Sequence, residues 1–287
     1  MNRKFLCVDV GGTELKAAPV DQSGELLAPP QYFPAGSQRE AGPLLDHFAQ
    51  IIRTARGQTP VDGVRLAFPG PFDYENGICL LHGQDKYDSL YGMDLRQALS
   101  RRLDFPPEEI RFLNDADAFA MGEMGFGEAR GAARAMFICI GTGLGSGFGV
   151  DGRMAPAGTP GMPEGGELYG VPFLDKRIDD YISRRGLMAL SQERLGEALD
   201  GRGLSLRARQ GDQAAKDCWL AFGERVRDAL LPWLESFRPR SLCFGGQITR
   251  SGDLFLPPVR TSCAALGIRV YVTEDTSVRA LQGLTRI

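Results

Sequence analysis

Residues 4–21, KFLCVDVGGTELKAAPVD, set two apolar runs on either side of Gly11-Gly12-Thr13. Each run is long enough for a strand and the glycines between them suit a turn, so the stretch predicts a hairpin. The same arrangement returns at residues 134–153, RAMFICIGTGLGSGFGVDGR, where Gly141-Thr142-Gly143 separates two apolar runs. Glycine lets consecutive backbone N–H groups face one point, and such nests bind anionic oxygens. Thr13 and Thr142 can add hydroxyl donors. Neither stretch ends in the Gly-Lys-Ser/Thr of a nucleotide P-loop, and neither runs from strand into helix as a dinucleotide fingerprint does. One such turn alone is weak evidence for a ligand. Two of them, one in each half, and the Gly245-Gly246 pair after the run SLCF (residues 241–244), point to binding.

Around these turns the chain alternates strands with helices. Residues 40–57, EAGPLLDHFAQIIRTARG, carry apolar side chains at helical spacing and stop at a glycine. VDGVRLAFPG (61–70) reads as a strand, MDLRQALSRRL (93–103) as a short helix and EIRFLNDA (109–116) as a strand. Residues 117–131 read as helical. In the second half, residues 174–201 and 211–237 read as helices, and GIRVYVTE (267–274) as a last strand. That order predicts an α/β chain of two lobes with mixed sheets and ligand chemistry in a cleft between them. The expected lobes are residues 1–113 and 114–287, with the last helix packing back on the first.

Bulk properties exclude some functions. The 287 residues are 43% hydrophobic and 24% charged with a formal net charge of −3, ordinary for a globular protein and no case for nucleic acid or an anionic membrane. No apolar run reaches membrane-spanning length, and Asp9 interrupts the first one too early for a signal peptide. The six cysteines have no metal-site spacing; Cys7, Cys139 and Cys243 sit in strand-like runs and read as buried thiols of a reducing, cytoplasmic setting. The two histidines, His47 and His82, lie far apart in sequence and support neither zinc nor a Cys–His pair.

Residues 112–120, FLNDADAFA, interrupt an apolar stretch with Asn114, Asp115 and Asp117. Unpaired carboxylates beside an apolar run need solvent or a role. Asp117 reads as a helix-start acid. A carboxylate within reach of a hydroxyl can orient it and take its proton, and Asn114 can both donate to and accept from neighbouring hydroxyls.

In this order the motifs resemble the ROK family of bacterial sugar kinases and repressors, within the sugar-kinase, Hsp70 and actin superfamily. The segments are DVGGT (9–13), FPGPFD (68–73), NDADA (114–118), GTGLGSGFGVDG (141–152) and FGGQI (244–248). The resemblance covers the chain nearly end to end. It implies a two-lobed ribonuclease H-like, actin-like ATPase fold and transfer of the terminal phosphoryl group of ATP to a sugar hydroxyl. By position it makes Asp115 the general base and places Asn114, Gly70, Glu164, Glu167 and Asp179 around the sugar. It puts Gly11, Gly12, Thr13, Lys16, Gly141, Thr142 and Gly143 at the phosphates and Gly245 and Gly246 beside adenosine. Asp9 would stand near Mg²⁺, through water. Asp9 as a turn cap and Lys16 as a solvated strand residue stay open alternatives. A homodimer is also implied.

The chain departs from its relatives where many carry an E-x-G-H segment and a Cys-rich zinc motif. Here the region reads MPEGGELYG (162–170), with Glu167 where His is usual, no zinc cysteines, and Asp179 at the place of a later Glu. The resemblance is therefore to a zinc-free branch. Polyphosphate glucokinases are also zinc-free, so polyphosphate is an alternative donor. A sugar sensor without catalysis is an alternative function. Repressors of the family carry a DNA-binding domain ahead of the first glycine turn, for which the eight residues before Asp9 leave no room.

Overall fold

Strand β1 (Lys4–Val10) and strand β2 (Glu14–Asp21) form an antiparallel hairpin closed at Val10 opposite Leu15. This is the first element of the computed structural model, which describes residues 2–83 and 86–287. β3 (Gln31–Pro34) pairs antiparallel with β2. β4 (Gly63–Phe68) pairs parallel with β1. A short hairpin follows, β5 (Phe72–Asp73) with β6 (Ile78–Cys79), and β7 (Ile110–Asn114) pairs parallel with β4. The sheet order is β3-β2-β1-β4-β7.

β1 is apolar almost throughout because both of its faces are covered, as parallel strands require. Leu6, Val8 and Val10 face Leu44, Leu45, Phe48 and Ile52 of helix α1 (Ala41–Arg56). The alternate residues Phe5 and Cys7 face Ala118, Ala280, Leu281 and Leu284. α1 ends at Gly57, whose positive φ of 53° suits glycine. α2 (Leu95–Leu103) starts at Asp94, whose side chain accepts from the Gln97 amide, and α3 (Asp115–Phe126) follows β7 directly.

The second half repeats the plan. β8 (Arg134–Ile140) pairs antiparallel with β9 (Leu144–Val150), which pairs with β10 (Arg153–Met154). Residues 174–201, expected to be helical, include instead the turn of a hairpin, β11 (Pro172–Phe173) with β12 (Lys176–Arg177). α4 (Ile178–Tyr181) and α5 (Arg184–Leu195) come next. Caps make the breaks: Ser183 accepts from the Gly186 amide, Gly196 ends α5 at φ 73°, and Asp200 opens α6 (Gly201–Arg209). The long helix α7 (Gln213–Phe237) buries Trp219, Phe222, Leu230 and Phe237 against Met136, Ile138 and Phe148 of the sheet. β13 (Ser241–Gly245) joins β8 in parallel, followed by α8 (Gly252–Phe255), α9 (Pro257–Ala265) and the edge strand β14 (Arg269–Val272). The order is β10-β9-β8-β13-β14.

Helix α10 (Thr276–Gly283) closes the chain with a final 3₁₀ turn at Leu284–Arg286. The structure resolves into two compact units, Gly127–Thr276 and a discontinuous one, Met1–Phe126 with Ser277–Ile287. No helix among the described residues is long and apolar enough to cross a membrane.

Candidate functional site

The first glycine turn is braced from outside. Gly11 donates its amide to the Glu14 carbonyl at 3.1 Å, and a Cβ at Gly11 would stand 2.7 Å from that oxygen, so a side chain is excluded. The Tyr87 hydroxyl donates to the Gly11 carbonyl at 2.6 Å, Ser37 Oγ to the Gly12 carbonyl at 2.9 Å, and the Ala35 amide to the Thr13 carbonyl at 2.9 Å. With its carbonyls taken, the turn leaves the exposed amides of Gly12 and Thr13 without an acceptor among the described residues. This is the donor arrangement an anion needs. Buried Tyr87 has its phenol pushed above the ordinary range by desolvation and then by the charge of Asp9, the half-exposed acid near the end of β1.

The Asn114–Asp115 pair stands where β7 passes into α3. Asn114 Oδ1 accepts from the Ala116 amide at 2.9 Å and the Asp117 amide at 3.3 Å, satisfying helix-end donors. That bond fixes the amide plane, and Asn114 Nδ2 donates to Tyr74 Oη at 3.1 Å, which itself donates to the Phe68 carbonyl. A Cβ on Gly70 would stand 3.3 Å from Tyr74 Oη and 3.7 Å from Asn114 Nδ2, so Gly70, Tyr74 and Asn114 are neighbours. Asp115 has an exposed surface, yet desolvation by the protein around it lifts its carboxyl above the ordinary value; the Ala116 amide and the charge of Lys86 oppose the rise. Lys86 also lies along the first turn, its Cδ 3.4 Å from where a Gly12 Cβ would be.

Tyr74 and Lys86 were not singled out by sequence. Tyr74 lies 40 residues from Asn114, and no local pattern links the two. Lys16 donates to Ser277 Oγ at 2.6 Å, with its ammonium 5.7 Å from the Tyr32 ring centroid.

In the second unit Gly141 donates its amide to the Gly143 carbonyl at 3.0 Å and accepts from the Arg184 amide at 2.9 Å. Leu144, next after the turn, donates its amide to Asp179 Oδ1 at 2.7 Å. The amides of Thr142 and Gly143 are exposed and have no acceptor among the described residues. Gly246, at φ 94°, passes so close to the second turn that a Cβ would meet the Ile140 carbonyl at 2.4 Å. Its amide donates to Thr276 Oγ1 at 2.8 Å, and Gly245 is buried as the last residue of β13. The second and third glycine turns are thus brought together. Glu164 and Glu167 are exposed on the loop that the Leu168 amide anchors to Ser146 Oγ at 2.8 Å. Among the described residues no cluster of three or more His, Cys, Asp or Glu could hold a metal, and all six cysteines are free thiols.

The model of the ROK family matches residues 5–280. The DNA-binding transcriptional repressor Mlc of Escherichia coli K12 is 27% identical over 262 residues, 84% of this chain and 63% of the repressor, so the chain spans less than two thirds of that relative. A glucokinase of Streptomyces coelicolor is 25% identical over 281 residues, 89% of this chain and 85% of the enzyme. The crystal structure of a ROK family glucokinase from Streptomyces griseus in complex with glucose and AMPPNP is similar at a TM-score of 0.80 and 21% identity, covering 100% of this chain and 98% of that one. The fold is the actin-like ATPase fold that the motifs implied.

Proposed function

The chain belongs to the ROK family, and from that premise we propose that it is an ATP-dependent kinase of a hexose or related sugar with Asp115 as general base. The observation that carries this is Asp115 itself, an accessible carboxylate raised above its ordinary value beside the braced amide of Asn114. A base works best when its pKa rises toward the working pH while it stays ionised. Asp115 orients one sugar hydroxyl and takes its proton as the oxygen–phosphorus bond forms. Asn114, held by Tyr74, hydrogen-bonds an adjacent hydroxyl, and Glu164 and Glu167 accept from others.

Phosphoryl transfer otherwise asks for positioning and charge neutralisation. The unclaimed amides of Gly12, Thr13, Thr142 and Gly143 hold donor phosphate oxygens, and Gly245 and Gly246 stand beside adenosine. Mg²⁺ usually keeps several waters and takes one or two carboxylates with the substrate's phosphates, so Asp9, with no cluster of three or more acids among the described residues, fits it. When bound, the ion neutralises phosphate charge. Glu167 is a pure acceptor when ionised, where a histidine could also donate, so sugars that offer a hydroxyl at this position are favoured.

The test is a phosphorylation screen with Mg²⁺, hexoses, amino sugars and N-acetyl sugars, and ATP or polyphosphate, reading sugar phosphate directly. One sugar turned over with ATP is the expected result. Turnover with polyphosphate alone changes the donor, and sugar binding with no product for any pair replaces the kinase by a sensor.

A further inference from the structure

Asp179 aligns with a family position expected to touch the sugar, yet both of its carboxylate oxygens are committed elsewhere. Oδ1 accepts the Leu144 amide at 2.7 Å and Oδ2 is ion-paired with the Arg185 guanidinium. The residue is only 9% exposed. Oδ1 also lies 3.1 Å from where a Gly143 Cβ would be, so the carboxylate is packed against the turn. Five residues on, the Arg184 amide holds the Gly141 carbonyl at 2.9 Å. Residues 179–184 therefore grip the second glycine turn at both ends, and the two amides between the grips, Thr142 and Gly143, are those left unclaimed.

We propose that Asp179 is a positioning residue that holds the second glycine turn in the form that binds the donor's phosphates. The proposal rests on the kinase reading and deepens it. A carboxylate this close to a phosphate site would repel the donor if its charge were unbalanced, and Arg185 supplies the balance. Its guanidinium is largely exposed while its partner is not, so the pair has a wet and a dry end. The shorter side chain of Asp, against the family's Glu, suits a contact with the backbone of the turn.

Three variants of the full chain test this: Asp179→Ala, Asp179→Asn and Arg185→Ala. The readouts are AMPPNP affinity by calorimetry with Mg²⁺, the separate KM values for ATP and sugar, and amide hydrogen exchange at residues 140–145. Asp179→Ala is expected to weaken AMPPNP about tenfold, the scale of one lost charge-assisted hydrogen bond. It should leave the sugar KM within about twofold and speed exchange at Leu144. Asp179→Asn keeps an acceptor for the Leu144 amide and should lose less. Arg185→Ala leaves the carboxylate in place but unbalanced, and should weaken AMPPNP without speeding exchange, a result that holds even if Asp179→Ala fails to fold. A raised sugar KM with AMPPNP affinity unchanged makes Asp179 a sugar ligand and overturns the proposal, as does no change in either. A wild-type chain that binds AMPPNP yet phosphorylates no sugar overturns the kinase reading alone; one that binds no AMPPNP overturns both.

Discussion

An Asp115→Asn chain is expected to lose about a thousandfold in kcat, within the range a positioned general base contributes, while its affinity for sugar changes little. The amide keeps the size and an acceptor for the hydroxyl but cannot take the proton. The pH dependence follows from the direction of the shift. Desolvation raises the carboxyl, so the acid limb of kcat/KM in the wild type should fall at higher pH than an ordinary aspartate would give. Removing the opposing charge in Lys86→Met should push that limb higher still. The same shift has a consequence for stability, with its sign fixed by linkage. A carboxyl raised in the fold favours folding below its unfolded pKa, and this contribution is lost as pH rises through the folded value. At neutral pH the ionised Asp115 therefore costs stability, and Asp115→Asn should unfold at the same temperature or higher. Calorimetry at neutral pH checks this. A thousandfold loss with lowered stability would point to misfolding, and undiminished turnover would place the base elsewhere.

The largest stability effect is expected at Gly283. α10 crosses α3 at two glycines: a Cβ on Gly283 would stand 1.9 Å from the Ala118 carbonyl oxygen, and one on Gly122 would stand 1.9 Å from that of Arg279. These are backbone atoms and cannot rotate away. Around the crossing Arg279 pairs with buried Glu123 at 3.1 Å and donates to the Phe126 carbonyl at 2.9 Å, while Gln282 donates to the Gly24 carbonyl at 2.8 Å. Separating the helices would strain all of these. Gly283→Ala is expected to cost about 3 kcal/mol, the upper part of the usual overpacking range. Denaturant titration measures it, and a loss under about 1 kcal/mol would mean that the crossing is soft. Gly122→Ala should cost a similar amount, and the pair less than the sum, because the first methyl already parts the helices. Asp115 opens α3, so a tilt of that helix should also lower kcat.

What was legible in the sequence was local. The β1–β2 and β8–β9 hairpins could be read because each strand lies within a few residues of its partner and a glycine turn separates them. α1 could be read from its apolar spacing and its Gly57 stop. The Asn114–Asp115 junction was visible as polar residues ending an apolar run, but the capping by Asn114 Oδ1, which leaves Nδ2 to point at Tyr74, was not. Contacts across long separations carried no signal: Tyr74 with Asn114, Tyr87 with Gly11, Asp179 with Leu144. Lys16 shows the limit from the other side. Its place after a glycine turn carries no sign of Ser277, 261 residues away, which the fold brings to its ammonium. The break of residues 174–201 into several elements depended on caps at Ser183, Gly196 and Asp200, single residues that an apolar pattern does not weigh.

The return of the last eleven residues to the first unit sets a timetable for synthesis. A ribosome releases Phe5 and Cys7 early, but their buried partners Leu281 and Leu284 are made only after the second unit. The stretch Gly127–Thr276 is continuous and can finish sooner, although it is made later. Domains commonly fold from the amino end as they emerge; here the expected order is reversed. Pulse-labelled exchange on stalled chains should find β8 protected before β1, and early protection of β1 would show that the first sheet stands without its closing helix. The amino-terminal half would then spend translation with one face of its sheet only partly covered, by α3, the period in which a chaperone has most to hold.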